Sequence, residues 1–249
     1  LGKAVRTISK MRGGGSALPG LVVEKIDANY VPSMLSQLPL GVVIVSGTNG
    51  KTTTTKMVVE LLESQRLRVF TNRTGSNFVR GVAAAIISEA SLSGTLRADI
   101  AVLELDEAHA VQFVKVITPR YSLLLNVMRD QLDRFGEIDT TAKMLEIVAK
   151  ATSDTVVINR EDPRLHRIGK TLPPKKAVYY GLATSLTRLF PSDDTMRGGK
   201  QHAPHSASSP TISSLEKISN NTATFKLHDM VHETTLLLDG IYNVYNATG

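Results

Sequence analysis

Six consecutive residues, Gly47-Thr48-Asn49-Gly50-Lys51-Thr52, carry the first recognisable chemistry in this chain. The two glycines let the backbone turn tightly and aim N–H groups at an anion. The lysine that follows can reach the outer phosphates of a nucleotide, and the Thr52 hydroxyl suits a Mg2+ ligand. Thr53 continues the set into the next turn. An apolar run at 41–46 precedes the loop, and a helical pattern from Thr52 to about Gln65 follows it. That is the strand and helix a phosphate loop needs, with the anion resting at the positive end of the helix. The common spacing G-x-x-x-x-G-K-[ST] would also require a glycine where Val45 stands.

Three further polar groups fall at the ends of apolar runs. "AVLELDEAHA" (101–110) puts Glu104 at a strand end, where a carboxylate can hold Mg2+. Asp106 and Glu107 either join that site or cap the dipole of a following helix. His109 is either a ligand or a solvated side chain. "LNVMRDQLDRFGE" (125–137) gathers Asn126, Arg129, Asp130, Gln131 and Asp133 after the next strand, a density that favours a site. "VVINREDPRL" (156–165) offers Asn159, Glu161 and Asp162. The Asn159 amide can read a base or ribose edge, or simply close an Asx turn.

To bring such groups together, the chain must place its strand ends side by side. Runs at 41–46, 68–72, 100–105, 121–127, 154–162 and 177–182 read as strands, with helices at 52–65, 79–91 and near 140–152. Continuous apolar strands alternating with helices predict a doubly wound α/β domain with a mostly parallel sheet buried on both faces. In such sheets ligands bind at the carboxyl ends of the strands, which puts Glu104 and Lys51 in one crevice.

A chain of 249 residues with 42% hydrophobic content can bury a core of that size. Its longest apolar runs fall short of the roughly 18 residues of a membrane span. Cysteine is absent, which excludes disulfides and thiolate metal sites within the chain and suits a cytoplasmic protein. The net charge of +6 is mild, with Lys3, Arg6, Lys10 and Arg12 clustered at the start. That cluster reads either as an approach to an anionic surface or as a solvated leader. Aromatics at 5% and the lack of a basic stripe argue against nucleic-acid binding. The chain divides into a leader (1–38), the nucleotide-binding domain (39–182), a flexible insertion with a small β-rich antiparallel patch (183–238), and a junction (239–249). The last stretch reads as a helix just beginning, in a piece of something longer.

These motifs, in this order, resemble the Mur ligase family of ATP-dependent amide ligases of peptidoglycan synthesis and folate polyglutamation. "GTNGKT" is similar to that family's phosphate loop, which does without the first glycine. "GIYNVYN" (240–246) is similar to its G-x-H-N-x-x-N junction, with Tyr242 in place of histidine. By that resemblance Asn243 and Asn246 contact the adenine end of ATP. Gly47, Thr48, Asn49, Gly50, Lys51, Thr52 and Thr53 hold the phosphates, and Thr52 and Glu104 hold Mg2+. Lys51 and Glu104 are then the catalytic pair. "RGGGSALPGLVVEKIDANYV" (12–31) and "RDQLDRFGE" (129–137) look like one branch, the ligase-like subunit of lipid II isoglutaminyl synthase.

Membership of that branch implies activation of the D-glutamate carboxylate of lipid II as an acyl phosphate, then amidation with ammonia from a glutaminase partner in a heterodimer. It places the protein in the cytoplasm, at the inner face of the membrane, and implies a Rossmann-like C-terminal domain missing from this chain. Gln131 replaces the histidine of the family's D-H-L-D pattern, which argues against a second metal. Lys143 lies out of register for the family's carbamylated lysine. The branch's four-cysteine zinc ribbon is lost, leaving His202 and His205 in the insertion, so zinc is not expected. Two other readings keep the nucleotide site: a folate- or amino-acid-adding Mur relative, or a non-catalytic ATP-binding scaffold.

Overall fold

The computed structural model describes residues 27–72, 79–91, 94–129, 137–196, 210–219, 222–235 and 240–249. Helix α1 (Tyr30–Leu35) leads into β1 (Val42–Ser46), the phosphate loop and α2 (Lys51–Ser64). Then come β2 (Val69–Thr71), α3 (Val79–Glu89), β3 (Ile100–Glu104), α4 (Glu107–Val114), β4 (Tyr121–Leu124) and α5 (Glu137–Ala151). They are followed by β5 (Thr155–Asn159), α6 (Pro163–Thr171) and β6 (Ala177–Leu182). A 3-10 helix (Thr184–Leu189), α7 (Asp193–Met196), strands β7 (Ser213–Ser219), β8 (Thr222–Leu227) and β9 (Met230–Thr235), and α8 (Ile241–Asn246) complete the chain.

The nine strands of the described residues form one sheet in the order β2-β3-β1-β4-β5-β6-β7-β8-β9. From β2 to β7 every pairing is parallel; β7, β8 and β9 pair antiparallel. The doubly wound α/β expectation holds. The antiparallel patch expected near the C-terminus is present too, but it is a continuation of the main sheet, because β7 lies parallel beside β6 with Tyr180 opposite Ser213. The stretch 183–196, read from its composition as flexible, packs instead: Leu186 and Phe190 are buried in the same cluster as Tyr180 and Leu215. Its Ser and Pro content hid two apolar anchors. Residues 197–209, with His202 and His205, lie outside the described residues.

Helix α4 follows Asp106 and Glu107, as one reading of those acids expected, whereas α6 was not anticipated although its start signal is in the sequence. Asp162 accepts from the N–H groups of Arg164 and Leu165 (2.9 and 3.0 Å), and Pro163 occupies the first helical turn. An acidic cap followed by proline marks a helix start.

Strand periodicity decides which side chains reach the site. Ile44 and Leu103 share one face with Met34, Ile86 and Phe113 of α1, α3 and α4. Val45 and Val102 share the other with Val59 of α2 and Tyr245 of α8. Glu104, two residues beyond Val102, therefore projects on the α2 side. The Thr52–Thr55 run is a poor helix former. It is held because Thr54 and Thr55 are buried and the Thr54 hydroxyl donates back to the Gly50 carbonyl at 2.8 Å.

At the opposite end of the sheet, Asp99 accepts from the Arg68 backbone N–H at 2.8 Å and from its guanidinium at 2.5 and 3.1 Å. These bonds hold the carboxyl at about 2, below its ordinary 3.8. A depressed folded-state value means the stabilisation is complete above the ordinary value and is lost as pH falls through about 2. NMR titration of the Asp99 carboxyl carbon should show its midpoint raised in Arg68→Ala, because the guanidinium bonds are lost while the backbone bond remains.

Candidate active site

The crevice lies at the carboxyl ends of β1, β3, β4 and β5, where strand order reverses around the central β1. At its floor is the loop between β1 and α2. Gly47 has φ +136° and Gly50 φ +85°, conformations that side chains rarely adopt. A Cβ on Gly47 would come within 3.0 Å of the Asn126 backbone, so the loop lies against the exit of β4.

Asn126 locks that loop from behind. Its carbonyl accepts from the Thr48 N–H (3.0 Å), its side-chain oxygen accepts from the Asn49 N–H (2.9 Å), and its amide donates to the Asn49 carbonyl (2.9 Å). Met128 adds a bond from its N–H to the Thr48 hydroxyl at 3.0 Å. Thr48 and Asn49 thus spend their backbone donors on shaping the loop. The first intrahelical bond of α2 runs from Thr54 N–H to Gly50 C=O (2.9 Å). The N–H groups of 50–53 therefore have no intrahelical acceptor, the arrangement that lets a helix start receive a phosphate.

Lys51 folds back over the loop. Its ammonium donates to the carbonyls of Gly47 (2.8 Å) and Thr48 (3.1 Å) and pairs with Asp106 at 3.2 Å. Asp106 is the residue at which α4 begins, yet its side chain makes no capping bond. Of its two sequence readings, the structure favours the site. Glu107 rides on the first turn of α4, and His109 lies further along the same helix.

The Thr52 hydroxyl donates to Glu104 Oε1 at 2.7 Å. Two hard oxygen donors at bonding distance beside the phosphate cradle fit Mg2+, which prefers one or two protein oxygens and completes its shell with water and phosphate. Among the described residues no group of three or more His, Asp or Glu side chains gathers to hold a metal. Thr53 is half-buried on α2.

The junction helix closes one wall. The Asn246 amide nitrogen would lie 2.1 Å from a Cβ on Gly50, so the two are in intimate contact. Asn243 is on the same short helix, half-buried. Tyr242, at the position of the family's histidine, meets Phe190 edge-on with ring centres 5.5 Å apart. Asn159 stands at the end of β5 and makes three hydrogen bonds. Its amide donates to the Leu125 carbonyl (2.8 Å), while its oxygen accepts from Glu161 N–H (2.9 Å) and the Tyr245 hydroxyl (2.5 Å). It ties the exit of β4, β5 and α8 together, and it lines the crevice beside Asn126, Tyr242 and Asn246. Burial raises the Tyr245 and Tyr180 hydroxyls above their ordinary range, so both stay protonated donors. Burial also raises the Asp162 carboxyl, against three backbone N–H groups that favour its charge.

Asp193 was missed in the sequence because it stands in the segment read as flexible. It accepts from the Arg129 N–H (3.1 Å) and pairs with the Arg129 guanidinium (3.5 Å), drawing α7 to the crevice rim. Residues 130–136, with Asp130, Gln131, Asp133 and Arg134, lie outside the described residues, and Lys143 is exposed on α5. A basic depression walled by Arg120, Lys175 and Lys176 lies at the far, amino-terminal end of the strands, away from Lys51.

A phosphate loop between β1 and α2, with an acidic strand end beside it, defines a P-loop-type nucleotide site on a doubly wound sheet. The model for the Mur ligase middle domain matches residues 45–249, and the chain belongs to that family. It is 32% identical over 180 residues to the MurT subunit of lipid II isoglutaminyl synthase (glutamine-hydrolyzing) from Staphylococcus aureus strain COL. To the same subunit from Streptococcus pneumoniae it is 35% identical over 181 residues. Each match covers 72% of this chain and 39% of the relative, so the chain spans about two-fifths of those proteins. A Thermus thermophilus UDP-N-acetylmuramoylalanine–D-glutamate ligase is 31% identical over 139 residues, covering 55% of this chain and 30% of that protein. Among solved structures, a pseudomurein peptide ligase from Methanothermus fervidus matches at TM-score 0.65 and 20% identity, over 89% of this chain and 47% of that one. MurF from Thermotoga maritima, in complex with ADP, matches at 0.64 and 19%, over 92% and 48%. These structures share the fold.

Gly50→Ala should destabilise the protein by about 1–2 kcal/mol from backbone strain alone, and further through the Asn246 contact. In an Asn246→Ala background the contact penalty is relieved and the strain is not. Urea unfolding of the two single variants and the double should therefore show a coupling of about 0.5–3 kcal/mol.

Proposed function

We propose that this chain is the ATP-binding part of a Mur-type amide ligase, the MurT-like subunit of a lipid II isoglutaminyl synthase. The observation that carries this reading is the 32–35% identity to two MurT subunits over 72% of the chain. The geometry is in keeping with it: a phosphate cradle, a lysine and a Thr52–Glu104 oxygen pair converge at one strand edge.

In this reading the Lys51 ammonium leaves the loop carbonyls and Asp106 for the β and γ phosphates, offsetting charge as it shifts during transfer. Thr52 and Glu104 would hold Mg2+, which when bound would neutralise phosphate charge. A carboxylate oxygen of the substrate's D-glutamate attacks the γ phosphorus, the bond to the bridging oxygen breaks, and ADP departs. Ammonia then attacks the acyl carbon, the carbon–oxygen bond to phosphate breaks, and the nitrogen gives up a proton. The products are a primary amide and inorganic phosphate. The chain's own contribution is positioning and electrostatics, the larger share of catalysis in such transfers.

The proposed partners are a glutaminase subunit that delivers ammonia, in a heterodimer, and lipid II. Such a substrate would bring the protein to the inner face of the membrane from the cytoplasm; no described helix is long and apolar enough to cross one. Asn243 and Asn246 are proposed to face the adenine end of ATP, with Asn246 reaching it from its place on Gly50. The divisions of the chain at 38, 182 and 238 are retained as functional units, although the sheet itself runs through 182.

The protein containing this chain, incubated with its glutaminase, Mg-ATP, glutamine and lipid II, should convert the glutamate acid to the amide, read by mass spectrometry of lipid II. Lys51→Ala should abolish the conversion. Unchanged lipid II alongside intact ATP binding would exclude this substrate and point to another Mur-type acceptor or to a scaffold.

A further inference from the structure

Glu104 must hold its carboxylate at the Thr52 hydroxyl, and the sheet by itself does not hold Glu104 on both sides. On one side β3 is fixed to β1, with Val45 as the register partner of Glu104 and the Leu105 N–H donating to the Val45 carbonyl at 3.2 Å. On the other side the ladder to β2 ends with Thr71 opposite Val102. The N–H and C=O of Glu104 point towards the place a longer β2 would occupy. Left there without partners, these two partly buried backbone groups would forgo hydrogen bonds that the ladder supplies elsewhere.

Asn72, the residue just after β2, fills that place with its side chain. Its Oδ1 accepts from the Glu104 N–H at 2.9 Å, and its Nδ2 donates to the Glu104 carbonyl at 2.7 Å. The side chain imitates a peptide group and extends the ladder by one pair. The residue type follows from the chemistry. An amide offers a donor and an acceptor side by side, whereas a carboxylate lacks the donor and a hydroxyl cannot span both groups. Asn72 is itself only 7% exposed, so the two bonds also compensate for its own burial.

We propose that Asn72 is a positioning residue for the metal site: its paired bonds to the Glu104 backbone aim the carboxylate at Thr52, and so set how strongly Mg2+ strengthens nucleotide binding. This rests on the reading of Thr52 and Glu104 as Mg2+ ligands given above. Asn72 touches neither metal nor nucleotide and acts through the strand end. Partners one step behind a metal ligand typically change metal affinity by roughly 10–100-fold when removed.

The test is calorimetric binding of a non-hydrolysable ATP analogue, once with Mg2+ and once with a chelator, for the native protein, Asn72→Ala and Asn72→Asp. Both variants should keep the metal-free affinity, which shows that the phosphate loop is folded, and lose roughly tenfold or more of the Mg2+ enhancement. Asn72→Asp is isosteric and carries the comparison if the alanine variant does not fold. Full Mg2+ enhancement in a variant with native metal-free binding would overturn the positioning role and leave the function reading intact. A native protein whose nucleotide binding ignores Mg2+ would instead overturn the metal-ligand reading, and the positioning role with it.

Discussion

A loop that turns its N–H groups outward towards an anion must have its remaining backbone satisfied from behind, and here one asparagine meets that need. Asn126 receives the N–H groups of Thr48 and Asn49 and returns a donor to the Asn49 carbonyl. The arrangement requires β4 to lie beside β1, since Asn126 stands just past the end of β4. It also requires Gly47, because any Cβ there would press on the Asn126 backbone. Strand order, glycine and asparagine thus form one condition. The open cradle of residues 50–53 and the inward reach of Lys51 depend on it.

Around that lock the crevice repeats one device, an asparagine side chain at or just past a strand end that bonds the backbone of a neighbouring strand or of the segment leaving it. Asn126 does so after β4, Asn72 after β2, and Asn159 at the end of β5. Each amide supplies both a donor and an acceptor where the regular ladder stops. The strand ends are thereby tied to their neighbours where the regular pairing runs out. Rigid supports are what catalysis by positioning needs, since small misplacements of reacting groups are costly in rate.

The parallel sheet and the phosphate loop were legible in the sequence because their signals are local: continuous apolar runs, two glycines and a lysine between strand and helix. Glu104 was legible for a similar reason, as an acid at the close of an apolar run. Asn72 was not, for its role lies in a contact with a strand distant in sequence, and a lone Asn at a strand end reads as an ordinary turn. Asp193 and Phe190 were hidden by a Ser- and Pro-rich neighbourhood that masks two buried anchors. For Asn159 the sequence shows only that an amide has a donor and an acceptor to offer, while its bonds to Leu125, Glu161 and Tyr245 depend on the fold. Helix α6 had a legible start in Asp162-Pro163, but its short length kept its apolar period from standing out.

The contact between Gly50 and Asn246 has a bearing on how such a protein changes over time. A bare α-carbon at position 50 is the condition for an amide at position 246, so residue 50 cannot enlarge while Asn246 stays. Any lineage that enlarged residue 50 would first have to shorten residue 246, and with it give up the side chain proposed to meet the nucleotide's base. The history of the loop is in this way tied to the size of one side chain on the junction helix.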